Sequence, residues 1–405
     1  MAHPNFHTKH PTRKMLVGAA TLSGTVVGAG ILGIPYVVSQ SGFLIGSAII
    51  ILIGLVFLAL NLFMGEIVLR TRGFHQLTGY MEKYLGKWGK LGMLFSMTVG
   101  IYGALVAYLI GEGQSIKTLV EQIPFLSNIF VGTGLHSTFV YMIGFFIFCG
   151  ILVWLGMDEV GKAETFVVAI MVLVILIISA VSIPKMNPSY LSNINFGSAL
   201  APLGVIIFAF IGSAAIPEVH EIVGKDKKVF KHAIVLGTLA PMILYVLFCA
   251  AVFGIVGFSN FEMLSANEKI ATIALSYYSH PILGGLANLL AILAMFTSFI
   301  TLGEALLEAY TYDYKIPRKI SFLLVMFVPL LIVLFDLTSF ISALAITGAV
   351  AGGIDGILIV LAYWKAKVLG DRKPEYSLPL MKGVGYLIMT LFAFGIVHGV
   401  WSAIF

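Results

Sequence analysis

Eleven apolar stretches account for most of this chain, at about 15–39, 43–70, 91–117, 137–156, 163–183, 197–223, 232–258, 281–310, 320–336, 338–364 and 381–403. A helix that crosses a bilayer needs roughly 20 consecutive apolar residues, and most of these stretches reach that length. Only 11% of the 405 residues are charged, against about 25% in a soluble domain. The expectation is an all-α integral membrane protein with eleven transmembrane helices. The polar residues 1–14 read as a cytoplasmic tail. The stretch after them is too long and too rich in glycine for a signal peptide.

Basic residues orient such a chain, because the inner loops collect Lys and Arg. With the N-terminus inside, only Lys117, Lys185 and Lys269 fall outside, and the other 21 of the 24 basic residues fall inside. The C-terminus is then external, in a cell membrane. The net charge of +5 is accounted for by topology and gives no reason to expect nucleic-acid binding. Cys149 and Cys249 lie in apolar spans and read as small core residues. The inner loop 71–90 reads as a short interfacial helix with Tyr84 and Trp88 at headgroup depth. The outer segment 259–280 reads as short helices laid across the outer face.

The first apolar stretch contains GTVVGAGILGIPY (24–36), with four glycines and Pro35. Gly costs a helix interior about 1 kcal/mol and Pro about 3. Backbone groups released by a break cost several kcal/mol in hydrocarbon unless they are buried in protein or line a wet cavity. A broken helix presents free N–H groups on one half and free C=O groups on the other. That pair suits a zwitterion and needs no charged side chain. Gly24 and Gly28 also fit a small-xxx-small packing pattern. A second interrupted span, FAFIGSAAIPEV (208–219), follows five helices later. Paired interrupted helices in corresponding halves point to an inverted-repeat transporter. The halves would be 15–183 (helices one to five) and 197–364 (helices six to ten), with 381–405 as an added helix eleven.

GAGILGIPY in helix one, FAFIG in helix six and AMFTSFITLGEALLEAYTYD (294–313) in helix eight together resemble the amino acid–polyamine–organocation superfamily. Within it they are most similar to the aromatic amino acid permeases and the amino acid/auxin permeases. The resemblance covers nearly the whole chain and implies the leucine-transporter fold, an L-amino acid substrate and alternating access. It also implies where the substrate sits. The carboxylate would meet backbone N–H groups around Gly28, Ala29, Gly30 and Ile31. The ammonium would meet carbonyls around Val26, Phe208, Ala209 and Ile211. The side-chain pocket would include Ala29, Tyr108, Phe210, Gly212 and Ser213. In sodium-coupled relatives an ion lies between helices one and eight. Here that implies the carbonyls of Gly24, Val27 and Ala294 with the hydroxyls of Thr297 and Ser298. Those hydroxyls can equally bond to their own helix. Helix five has no basic residue, which favours Na⁺ over H⁺ as the coupling ion.

Ionisable residues inside spans are functional candidates. Glu66 precedes Arg70 by four and reads as its structural partner. Glu112 is one turn beyond Tyr108, as an outer-vestibule or gate residue. His220, in PEVHE, is a proton-relay candidate or lines the inner path. Glu304 and Glu308 stack at i,i+4, where like charges repel. Asp355 reads as a polar contact in helix ten or as a coupling residue. There is no HExxH, no GxSxG and no nucleophile–base pair, so an enzyme is not expected. The expected activity is import of a neutral hydrophobic or aromatic L-amino acid by a monomer, with an exchanger or sensor as the alternative.

Overall fold

The computed structural model describes residues 10–130, 137–156, 160–224 and 227–404. Most of the expected N-terminal tail and the Lys225–Asp226 part of the basic loop therefore lie outside the described residues. Every regular element described is helical. In order these are α1 (Pro11–Val26), α2 (Gly30–Ser41), α3 (Phe43–Arg70), α4 (Leu77–Gln122), α5 (Pro124–Phe130), α6 (Thr138–Leu155), α7 (Val160–Ser182) and α8 (Pro188–Leu191). They continue with α9 (Leu203–Phe210), α10 (Ile216–Val223), α11 (Phe230–Met263), α12 (Ala271–Tyr278), α13 (Pro281–Glu308), α14 (Arg318–Leu334), α15 (Phe340–Thr347), α16 (Gly353–Leu369) and α17 (Lys382–Ile404). A π-turn, Gly348–Gly352, joins α15 to α16.

Among the described residues, eight helices are long and apolar enough to cross a membrane, or nine if α1 and α2 form one span bent by 59°. The other two expected spans correspond to α7 and α14. The searched part of α7 is the shorter apolar helix Ala169–Lys185, and α14 has 17 residues. Length and composition thus support nine of the eleven expected crossings.

Both interruptions are present. Helix one divides at Val27–Ala29, and helix six divides at Ile211–Gly212 followed by a 3₁₀ turn at Ser213–Ala215. The half-helix α2 packs on α9, α11, α3 and α12. The half-helix α1 packs on α10 and α11. Gly42 makes the reversal between α2 and α3 at φ +85°, where a Cβ would run into the Asn193 carbonyl.

The segment 259–280 contains α12, which is buried along Ala271–Leu275 and lies against α13, α11, α2 and α4. In 71–90 a helix begins at Leu77 and turns at Gly86, φ +71°, into helix three. Trp88 is exposed as expected. Tyr84 is not at the surface: it is buried, with its hydroxyl 2.7 Å from Thr71 Oγ1. Turning at Gly86 directs that short helix inward, where the phenol finds a polar partner. Cys149 and Cys249 are buried free thiols in the core.

Glu66 anchors the basic end. Its buried carboxylate receives Arg70 Nε at 2.7 Å, Lys367 Nζ at 2.6 Å and the Leu378 N–H at 2.7 Å. The expected i,i+4 pair is therefore the first member of a cluster that fastens α3 to α16 and to the segment before α17.

Candidate functional site

At the helix-one break the chain leaves α-geometry at Val27 (ψ +77°). The Gly28 N–H turns back to the Val26 carbonyl at 2.9 Å. Ile31 and Leu32 donate to Gly28 and Ala29, at 3.3 and 3.0 Å. These 3₁₀-type bonds leave the Ala29 and Gly30 N–H groups as the unfilled donors of the first turn of α2. A helix N-terminus with unfilled donors attracts a carboxylate.

The two glycines here differ in environment. A Cβ on Gly28 would meet nothing within 4 Å, so open space adjoins the break. A Cβ on Gly30 would lie 2.8 Å from Ala209 Cα and 3.2 Å from Phe208 Cδ1. Gly30 thus serves the close approach of helices one and six, and its N–H remains at the mouth of α2. Ala29 and Ile31 are buried beside it.

At the helix-six break, Ile211 is extended (ψ +115°) and the Ala215 N–H returns to the Gly212 carbonyl at 3.0 Å. Gly212 faces Val26, whose Cγ2 would lie 2.5 Å from a Cβ placed there. The Ser213 hydroxyl donates to Asn61 Oδ1 at 2.9 Å, and Asn61 Nδ2 donates to Thr238 Oγ1 at 3.1 Å. The Phe210 ring stacks on Phe57 and meets Tyr245 edge-on, 5.1 Å between centroids. Phe210 therefore lies in the core behind the break. Tyr108 is buried on α4.

Tyr245 links the two breaks. Its hydroxyl lies 2.7 Å from the Val26 carbonyl oxygen and 2.7 Å from that of Ala209. These are two of the carbonyls expected to receive an ammonium. Neither Tyr245 nor Asn61 stands out in the sequence, because each is one polar tip in an apolar span with no spacing signal.

The expected cation ligands lie on two helices with different main neighbours. Gly24 and Val27 belong to the helix-one segment that packs on α10 and α11, whereas α13 packs chiefly on α4, α7 and α12. Thr297 is buried, and its hydroxyl bonds to Leu293 and Ala294 carbonyls of its own helix at 3.2 and 3.1 Å. Ser298 is half-buried.

Among the titratable candidates, Glu112 is fully buried, and neither carboxylate oxygen has a hydrogen-bond partner among the described residues. His220 is half-buried and meets the Phe230 ring edge-on at 5.4 Å. Glu304 is half-buried and Glu308 exposed.

Comparison with known proteins gives a consistent result. The tyrosine-specific transport system 1 of Haemophilus influenzae is 24% identical, with 93% of each chain covered. The glutamine transporter 2 of Aliivibrio fischeri is 25% identical over 89% of this chain and 90% of its own. The tryptophan-specific transport protein of Shigella flexneri is 23% identical over 95% and 96%. The crystal structure of MhsT in complex with L-phenylalanine superposes with a TM-score of 0.63 at 15% identity, covering 99% of this chain and 100% of that one. That likeness supports the leucine-transporter fold. The relatives are transport proteins, not enzymes, and this chain is a multi-pass membrane transporter of amino acids. A model of the tryptophan/tyrosine permease family matches residues 11–402, and the chain belongs to that family.

Proposed function

We propose that this protein imports a neutral, hydrophobic or aromatic L-amino acid by alternating access, held between the broken helices and coupled to a cation, Na⁺ in preference to H⁺. The observation that carries this reading is the pairing of the two breaks. Unfilled N–H donors at Ala29 and Gly30 sit beside the open space at Gly28, and the Val26 and Ala209 carbonyls meet at one hydroxyl. The donor end suits a carboxylate and the carbonyl end an ammonium. No charged side chain is needed at the centre of the span, where one costs about 2.5–3.5 kcal/mol.

The relatives transport tyrosine, tryptophan or glutamine by their names, and MhsT is bound to L-phenylalanine. All four ligands are neutral. In this reading the repeats are 15–183 and 197–364, the basic end is cytoplasmic and the monomer is the working unit. Closure of α1 on α13 brings Gly24 and Val27 to Ala294, Thr297 and Ser298 and completes a cation site of neutral oxygens. Such a site suits desolvated Na⁺. One charge moving through about 100 mV is worth about 2.3 kcal/mol, enough for roughly 40-fold accumulation. His220, Glu304 and Glu112 are the groups that would serve H⁺ instead.

A thermal-shift screen of the amino acids in Na⁺ or K⁺ buffer, followed by uptake into proteoliposomes, tests the proposal. Uptake against an amino acid gradient only when a Na⁺ gradient is imposed supports symport. Exchange without net accumulation would favour the exchanger.

A further inference from the structure

Asp355 lies at the start of α16, just past the π-turn. Its Oδ1 is 2.6 Å from Ser96 Oγ on α4, and the same Ser96 Oγ is 2.8 Å from the Ala351 carbonyl oxygen within the π-turn. Ser96 is fully buried and Asp355 half-buried. A serine hydroxyl supplies one hydrogen, and a carbonyl oxygen only accepts. The two contacts therefore need two hydrogens, of which Ser96 provides one. The second fits only on the Asp355 carboxyl.

The surroundings offer no other way to balance a carboxylate there. Among the described residues no ion pair includes Asp355. At its level α17 brings Phe392 and Ile396, and helix six brings Ile207 of α9 and Ile211 of the break. The charged groups of the packed elements lie further along. On α4 these are Glu82, Lys83, Lys87 and Lys90, near the basic end, with Glu112 beyond Tyr108 and the Lys117–Glu121 pair at the far end. On α3 they are Glu66 and Arg70, engaged with Lys367 about 18 Å further along α16 at 1.5 Å per residue. On α17 they are Lys382, ten residues before Phe392, and His398, two residues past Ile396 with its ring against Phe394. An ion without a partner is costly to bury, whereas a neutral acid supplies the hydrogen that the Oδ1–Ser96–Ala351 chain needs.

We propose that Asp355 is a proton-binding site, and that in the arrangement described it is a neutral acid that donates to Ser96, which donates to Ala351. When the proton leaves to water, the Ser96 hydrogen turns to the carboxylate and the Ala351 carbonyl loses its donor. The clasp between helix three and the helix-ten π-turn then loosens. The π-turn in turn bears on helix six, since a Cβ on Gly348 would fall 2.0 Å from the Gly204 carbonyl oxygen and 2.5 Å from the Phe208 nitrogen. Proton release at Asp355 thereby reaches the half-helix that ends at the substrate break. The inference holds whichever amino acid or driving ion is carried.

Infrared spectra of the purified full-length protein test it. Wild type should show a carboxylic-acid carbonyl band that Asp355→Asn lacks, and that fades in wild type from mildly acid to mildly alkaline buffer. Asn keeps the size and offers Ser96 an N–H donor, so the variant should fold. Ser96→Ala should keep the band but shift it, because the acid loses its acceptor. In proteoliposomes, Asp355→Asn should flatten the pH dependence of amino acid exchange. Identical spectra for wild type and Asp355→Asn, an unshifted band in Ser96→Ala, or superimposable pH profiles would each overturn the proposal. Amino-acid-induced thermal stabilisation, retained in Asp355→Asn, reads the transport proposal separately. Its absence from wild type would count against transport and not against the proton site.

Discussion

The Tyr245 hydroxyl lies 2.7 Å from the Val26 carbonyl oxygen, so a side chain of α11 reaches the backbone at the point where helix one breaks. It is equally close to Ala209, and its one hydrogen serves one carbonyl at a time. Val26 also accepts the Gly28 N–H, so the Ala209 carbonyl is the one left open when the hydroxyl turns to Val26, and in the proposed transport cycle a substrate ammonium is its further donor. Tyr245→Phe leaves the Ala209 carbonyl short of a donor in a buried place, while the Val26 carbonyl keeps the Gly28 N–H. An unmade bond of this kind costs about 1–3 kcal/mol. The substrate-free variant should melt several degrees below wild type, and saturating amino acid should recover more of that loss than it adds to wild type. Equal melting temperatures in the absence of substrate would show that the hydroxyl does not support the break.

Glu66 holds two cations and a backbone N–H while fully buried. Its removal leaves Lys367 and Arg70 without their shared carboxylate. Breaking a buried pair by removing one partner costs about 3–5 kcal/mol. Glu66→Ala should be strongly destabilised in detergent and should be cleaved by protease within 371–380 ahead of the rest of the chain. A melting temperature within a degree of wild type would remove Glu66 from its anchoring role.

Gly30 and Ala209 are packed backbone to backbone, with no room for a methyl group. Gly30→Ala must push helix one from helix six, and overpacking of this kind costs about 1–3 kcal/mol. The expected result is lower thermal stability together with weaker uptake. Full stability in this variant would mean that the two half-helices have room to spare.

Thr297 donates within its own helix in this structure. If closure recruits the hydroxyls to Na⁺, Thr297→Val with Ser298→Ala should leave folding intact and abolish most Na⁺-dependent uptake. Undiminished uptake in sodium-free buffer, lost instead in His220→Ala or Glu304→Gln, would assign coupling to a proton.

The breaks were legible because Gly and Pro penalise a helix locally, so clusters at Gly28–Pro35 and Gly212–Pro217 need no tertiary information. The Glu66–Arg70 pair was legible for the same reason, at i,i+4. Lys367 and Leu378 were not, since they reach Glu66 from some 300 residues away. Tyr245 and Asn61 are likewise fixed by packing between helices and not by any spacing. The placement of Phe210 behind the break also follows from packing, against Phe57 and Tyr245, whereas the sequence suggests only its proximity. Tyr84 was expected at the interface because it neighbours Trp88, and the left-handed Gly86 between them sends the two rings to different environments.

The central claim is that a neutral amino acid occupies the space between the two breaks. Gly28 offers the most direct test, because a Cβ there would meet nothing within 4 Å and points into open space. Equilibrium binding of a labelled aromatic amino acid should be measured on purified wild type and Gly28→Leu, with competition by Leu, Phe, Tyr, Trp, Gln, Asp and Lys. Binding should be displaced by the neutral amino acids and not by Asp or Lys, and should fall at least tenfold in Gly28→Leu at an unchanged melting temperature. Wild-type affinity in Gly28→Leu, or displacement by Asp or Lys stronger than by Phe or Tyr, would contradict the account.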